Sequence, residues 1–242
     1  MLILRKPWDS QPQQAAEVDN SSPLLWGLEE VYLPNGIVPP SRVYSSNPTR
    51  GAATEVGTVA SVGQAGLAFE FDGTTDYLTF QADGPNQLMT SGGTLLAFFQ
   101  KTDTTNRSSS LFGLGGAGTE ILNIHAPFSD GTTYFDFGGN TGANRRSVAG
   151  LSYSRPTCLA FAAGAGGMRI VQDGIVRSSS TTAVSRVERA GSSTFYGRGG
   201  VSACDLIKTY LLAWWSRELT QAECLSITAN PWQLFAPLVI QI

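Results

Sequence analysis

Charge is scarce in this chain. Asp, Glu, Lys and Arg supply only 14% of its 242 residues, against roughly a quarter in an ordinary globular domain. The net charge is -3, and basic residues adjoin only at Arg5-Lys6 and Arg145-Arg146. A nucleic-acid face needs clustered Lys and Arg, so that class is set aside. Arg145-Arg146 reads as a solvated loop pair, with a phosphate or carboxylate contact as the alternative. Histidine occurs once, at His125. Any Ser-His-Asp or Cys-His mechanism would have to run through it, and no G-x-S-x-G elbow is present. A single histidine also excludes a multi-histidine metal site. Long apolar runs are missing too. Nothing approaches the ~20 residues of a membrane span. The opening "MLILRKPWDS" has one apolar triplet, short of the apolar run of about 7–15 residues in a signal peptide, so use outside the secretory pathway is expected. The three cysteines, Cys158, Cys204 and Cys224, are odd in number and widely spaced. That suits neither a disulfide framework nor a zinc site, and buried, unreactive thiols are expected.

What is present begins with proline. Most of the twelve prolines lie before residue 50. Proline withholds a backbone donor and biases its predecessor to extended conformations, so 1–50 reads as an extended arm. Disordered tails are poor in large apolar residues, yet this segment carries Leu2, Leu4, Trp8, Leu24, Leu25, Trp26 and Tyr32. These anchors are the candidate partner-binding residues. They dock on this chain's own surface or on a neighbouring subunit.

Residues 51–242 read as one all-β domain. "GLAFEFDGTTDYLTF" alternates around Asp72-Gly73 and predicts a hairpin. "TCLAFAAGAGGMRIVQDGIVRSSS" predicts three strands joined by glycine turns. About ten to twelve short strands, punctuated by glycine, predict an antiparallel β-sandwich or jelly roll. No fixed repeat is visible, which argues against propellers and solenoids. One short helix closes the chain. Thr220 and Glu223 form a capping box, Asn230-Pro231 is the stop, and Ala222, Leu225 and Ile227 or Ala229 are expected to face the sheet.

Chemical motifs are thin. "GLGGAG" (Gly113, Gly115, Gly118) has dinucleotide spacing but is followed by a strand-like run instead of a helix, so it reads as a turn. Retaining glycosidases need two carboxyl groups about 5–5.5 Å apart. Here Glu120 is followed at two-residue steps by Leu122 and Ile124, and no enzyme is expected. No cofactor is expected, although Asp72, Asp76 and Asp130 lie in turns and could offer oxygen ligands to calcium.

Four stretches, taken in order, carry a resemblance: "FEFDGTTDYLTF", "GTLLAFFQKTD", "CLAFAAGAGGMRIVQDGIVRSS" and "LLAWWSRELTQAECLSI". They resemble laminin-G-like, concanavalin A-like sandwiches over about residues 66–230. No ligand residue is carried over. In addition, "RKPWDSQPQ", "SSPLLWGL" and "NPWQLF" resemble the arm and ending of such sandwiches in tailed-bacteriophage virion proteins. That resemblance implies a capsid decoration or minor head protein assembled in the host cytoplasm. Its partners would be other virion subunits, such as the major capsid protein, and further copies of itself. The alternative implied is a carbohydrate-binding or host-adhesion module of a tail or fibre, with glycans as partners.

Overall fold

Two strand patterns occur in the sequence, and they sort into two sheets. "TTYFDF" and "LNIH" alternate apolar with polar, which suits a sheet buried on one face. "TCLAFAAG", "GTLLAFF" and "YLLAWW" are nearly continuous apolar runs, which suit burial on both faces. The computed structural model describes residues 3–6, 9–12, 17–34, 41–47, 49, 53–56, 59–81, 83–108, 110–114, 118–199, 203–204, 206–236 and 238–241.

Strands are numbered in chain order. The smaller sheet runs, edge to edge, β12 (Arg145–Ala149), β11 (Thr132–Phe137), β10 (Leu122–His125), β9 (Phe112–Gly113), β16 (Thr194–Tyr196), β7 (Tyr77–Phe80), β4 (Thr54–Val56). The larger sheet runs β15 (Ile175–Ser180), β14 (Gly167–Gln172), β13 (Thr157–Gly164), β8 (Gly93–Lys101), β19 (Leu206–Trp215), β2 (Leu28–Leu33), β3 (Ser41–Ser45). Beside β19 it continues into β6 (Gly66–Asp72) and β5 (Val59–Gly63). Two short pairs complete the set: β1 (Ile3–Lys6) with β20 (Leu238–Gln241), and β17 (Arg198–Gly199) with β18 (Ala203–Cys204). Neighbouring strands are antiparallel. The all-β sandwich expected from the sequence is therefore the fold, with more strands than expected, because the described part of residues 1–63 supplies five and several of the later ones are only two or three residues long. No helix among the described residues is long and apolar enough to cross a membrane.

The larger sheet is covered on both faces. Phe99, Phe161, Tyr196 and Trp214 belong to the core between the sheets. Leu96, Ala160, Leu211 and Trp215 belong to a second core on the sheet's other face. The adjacent tryptophans thus serve opposite cores, as period-2 geometry requires. Each fully buried aliphatic or phenyl side chain contributes roughly 1.5–3 kcal/mol over its exposed form.

The second core is closed by the two ends of the chain. The N-terminal segment contributes Val18 and Leu24; the C-terminal segment contributes Cys224, Ile227, Trp232, Leu234 and Phe235. Val18 bridges Phe235, and the Asp19 amide donates to the Leu234 carbonyl at 2.8 Å. The Trp215 indole donates to the Leu24 carbonyl at 2.7 Å. Gln11 is buried, and its side-chain amide exchanges two hydrogen bonds with the backbone of Leu67, at 2.9 and 2.6 Å. It acts as a one-residue strand against β6.

Three expectations are corrected. The arm over 1–50 is not separate from the domain: β2 lies between β19 and β3, so it is a sheet strand. Its proline-free run LEEVYL has all the donors a ladder needs. The 66–80 stretch is not a hairpin. β6 pairs with β19 and β5, whereas β7 pairs with β16 and β4. The Asp72–Asp76 turn carries the chain from one sheet to the other, and both flanking strands send phenyl rings into the core between. The helix α2 (Gln221–Ala229) has its capping box, but it buries Cys224, Ile227 and Thr228, with Ala222 and Ala229 exposed. The Thr228 hydroxyl takes the Gly174 amide at 3.0 Å and donates to the Cys224 carbonyl at 2.7 Å, which sets the helix rotation.

Candidate functional site

The smaller sheet has one face in the core and one that no other layer of the described chain covers. Leu122, Ile124, Phe135 and Phe137 point inward. Alternation therefore turns His125, Tyr134 and Asp136 outward. Arg145 is the direct partner of Asp136, and His125 of Tyr134.

An aromatic cluster forms there. Phe128 follows β10 in the turn before β11. That turn is closed by bonds from the Phe128 amide to the Thr132 carbonyl (2.8 Å) and from Gly131 to Phe128 (2.9 Å). Gly131 takes φ +79°, a region that favours glycine. The His125 and Phe128 ring centroids lie 4.8 Å apart, edge to face. Tyr134 lies 6.3 Å from His125 and 6.1 Å from Phe128, both near perpendicular. The Arg145 guanidinium carbon sits 4.5 Å over the Tyr134 ring. These four side chains line a shallow cavity of about 100 Å³.

Polar groups fix the rings. Arg145 forms a two-point pair with buried Asp136, Nε to Oδ1 at 2.6 Å and Nη2 to Oδ2 at 2.8 Å. Those bonds raise the guanidinium pKa further. The Tyr134 hydroxyl donates to Asp130 at 2.7 Å, and the Thr132 amide donates to its other oxygen at 2.8 Å. The Tyr134 bond, then the Thr132 bond, holds the Asp130 carboxyl below its ordinary range. Ring faces and edges with a few fixed polar groups around a small hollow are the recipe for binding a small, partly apolar surface.

The residues expected from the sequence fall elsewhere. Leu2 and Trp8 lie outside the described residues. Leu4 is paired with Ile240 in the β1–β20 ladder. Leu24 and Tyr32 are buried in this chain's own cores, so neither side chain is available to a neighbour. Their docking surface is the larger sheet itself. Burial, then the adjacent Glu30 carboxylate, pushes the Tyr32 phenol pKa upward, and its hydroxyl donates to Glu30 at 2.6 Å. Leu25 is half-buried, and Trp26 is 76% exposed with the Arg217 guanidinium 4.7 Å over its ring.

Asp72 spends its oxygens on its own turn, accepting from the amides of Thr74 (2.7 Å), Thr75 (2.8 Å) and Asp76 (3.1 Å). Desolvation acts upward on it, but a bond from the Thr74 hydroxyl, followed by these amide bonds, outweighs that and leaves its pKa depressed. Among the described residues no three His, Cys, Asp or Glu side chains gather as a cation site. Glu120 lies in a single 3-10 turn, Gly118–Glu120, and β10 follows, as the strand-like run after GLGGAG predicts. Gly115 lies outside the described residues. Cys158 and Cys224 are buried free thiols; burial raises both pKa values, that of Cys224 to about 12. Cys204 lies in β18, and its side chain is outside the described residues.

Sequence reasoning did not single out Phe128 or Tyr134, noted Arg145 only as half of a basic pair, and weighed His125 only as a catalyst against a structural or surface residue. Arg145 is on strand β12 and not in a solvated loop, and it makes the alternative contact, with a carboxylate of its own sheet. The alternation in LNIH and TTYFDF marks His125 and Tyr134 as outward-facing, but only the strand register brings them together.

No family model matches the chain, and no curated protein matches it. Solved structures do. Domain 4 of AbnA, a GH43 extracellular arabinanase from Geobacillus stearothermophilus, solved with arabinotriose, is 13% identical with a TM-score of 0.62. The match covers 89% of this chain and 100% of that one. The Trypanosoma rangeli sialidase in complex with the inhibitor DANA is 12% identical, TM-score 0.57, over 90% of this chain and 36% of that one. The receptor-binding domain of botulinum neurotoxin C/D mosaic serotype is 9% identical, TM-score 0.59, over 88% and 55%. The likeness shows the fold, an antiparallel β-sandwich of the concanavalin-like kind.

Proposed function

We propose that this chain is a carbohydrate-binding or host-adhesion module and that the His125–Phe128–Tyr134–Arg145 cluster receives the sugar. One observation carries the reading: the sheet face that no other layer covers bears grouped aromatic rings around an ion-paired arginine. An uncovered sheet face has little reason to hold rings in place unless something stacks on them. The role is binding without catalysis, because the cluster holds one exposed carboxylate, Asp130, and its other acid is locked to Arg145. The arabinanase domain bound to arabinotriose and the toxin receptor-binding domain support the reading by fold. The phage-like segments support placement on a virion tail or fibre.

A glycan array followed by titration calorimetry tests it. A selective array response is expected, and Tyr134→Ala should weaken the best binder about tenfold, or ~1.4 kcal/mol, with thermal unfolding unchanged. A flat response over all glycans, or wild-type affinity in Tyr134→Ala, overturns the assignment.

A second reading, a virion subunit held to its neighbours through the N-terminal segment, rests on exposed Trp26 and the same segments. Mass spectrometry of purified particles separates the two: hundreds of copies favour the subunit reading, a handful a tail adhesin.

A further inference from the structure

The uncovered face carries a second aromatic cluster. Tyr77 on β7 and Phe195 on β16 pack edge to face with centroids 5.9 Å apart. The Arg198 guanidinium lies 4.5 Å over the Tyr77 ring and 5.6 Å from the centre of Phe195. Both rings point away from the core, since their chain neighbours Leu78 and Tyr196 are wholly buried in it. The cluster has the same composition as the first: rings held under an arginine.

One row of the sheet joins a member of each cluster, Arg145 and Phe195, and Tyr134 and Tyr77 each stand two residues along their strands from it. Register connects Arg145 to Asp136, Asp136 to Asn123, Asn123 to Gly113, and Gly113 to Phe195. The middle of that row is polar, and Asn123 and buried Ser110 fill the space over Gly113. Gly113 has no side chain, and a Cβ there would come within 2.5 Å of the Asn123 amide oxygen and 3.0 Å of Ser110. The Ser110 hydroxyl donates to that amide oxygen at 3.0 Å. From β11 to β16 is three strand steps of about 4.8 Å, and Tyr134 is offset two residues along its strand, so Tyr134 and Phe195 stand roughly 16 Å apart.

We infer that this face takes a glycan as an extended chain laid across the strands, stacking at Tyr134 and again at Tyr77 and Phe195, with half-buried Asn123 beneath its middle. This deepens the glycan-binding reading and rests on it. A single sugar unit cannot touch both clusters across that span; a hydroxyl-rich chain can. Two linked contacts raise affinity without new chemistry at either one.

Chain length supplies the test. The mono-, tri- and hexasaccharides of arabinan, xylan and cellulose are titrated into the wild type, Phe195→Ala and Tyr134→Ala. In the series that binds, wild-type affinity should rise at least tenfold from monosaccharide to hexasaccharide. Phe195→Ala should remove that gain and leave monosaccharide binding at the Tyr134 end unchanged. If Phe195→Ala unfolds, Arg198→Ala takes its place with the same expected result. Affinity that is flat with length, or a full gain in the variant, overturns the extended-chain inference and leaves the glycan reading standing. Failure of every series at every length overturns both.

Discussion

Asn86 shows how one side chain can order a stretch without regular structure. It is wholly buried, and its amide nitrogen donates to the carbonyls of Arg189 (2.7 Å) and Ser192 (2.8 Å). Its oxygen accepts from the Arg186 guanidinium (2.9 Å) and the Arg189 amide (3.1 Å). Arg186, itself buried, also donates to the Asn86 carbonyl at 2.6 Å and to that of Glu120. Residues 186–192 are pinned to the sandwich this way. A buried donor or acceptor stripped of its partner costs about 1–3 kcal/mol. Asn86→Ala strands several, so a loss of about 2–4 kcal/mol is expected in urea unfolding. A change under roughly 0.5 kcal/mol, the range of an inert surface substitution, would show that the network is dispensable.

At the scale of elements, α2 depends on its first turn. Thr220 and Glu223 exchange the two bonds of the capping box, and Arg217 grips Glu223 at 2.7 and 3.0 Å. The Arg217 hydrogen bonds lead the effect that lowers the Glu223 pKa from its ordinary 4.5 to about 2. A depressed carboxyl pKa stabilises the folded state above the unfolded value and loses that contribution as pH falls through the folded one. The window is therefore about pH 4.5 down to about 2. Thermal unfolding followed by circular dichroism should fall across that window, and by less in Glu223→Gln. Equal acid sensitivity in both proteins would rule this element out as the source. Thr220→Ala should cost about 0.5–2 kcal/mol at neutral pH.

For the whole molecule, the consequence lies in how the ends close the second core. Val18 and Leu24 sit among Trp215, Leu234 and Phe235 on the larger sheet, and β2 is one of that sheet's inner strands. Removing residues 1–45 would strip β2 and β3 and uncover Leu211 and Trp215. Brief trypsin treatment of the free protein, read by mass spectrometry, should accordingly yield no folded fragment beginning near residue 50. Accumulation of a stable 51–242 fragment would contradict the placement of β2 in the sheet and restore the separate arm.

Much was legible locally. The alternation of TTYFDF and the continuous runs of TCLAFAAG and YLLAWW state how many faces of each strand are buried, and Thr220, Glu223 and Asn230-Pro231 mark both ends of α2. The sequence by itself thus determined an all-β sandwich closed by one capped helix, because these signals depend only on neighbours along the chain. The tertiary structure decided what periodicity does not encode: which strand lies beside which. It sent β6 and β7 to different sheets, put Leu24 and Tyr32 in the chain's own cores, and brought His125, Phe128, Tyr134 and Arg145 together from three strands and a turn. Burial of a face is a property of one strand, whereas a binding face is a property of strand order and register, and those are settled only when distant segments meet.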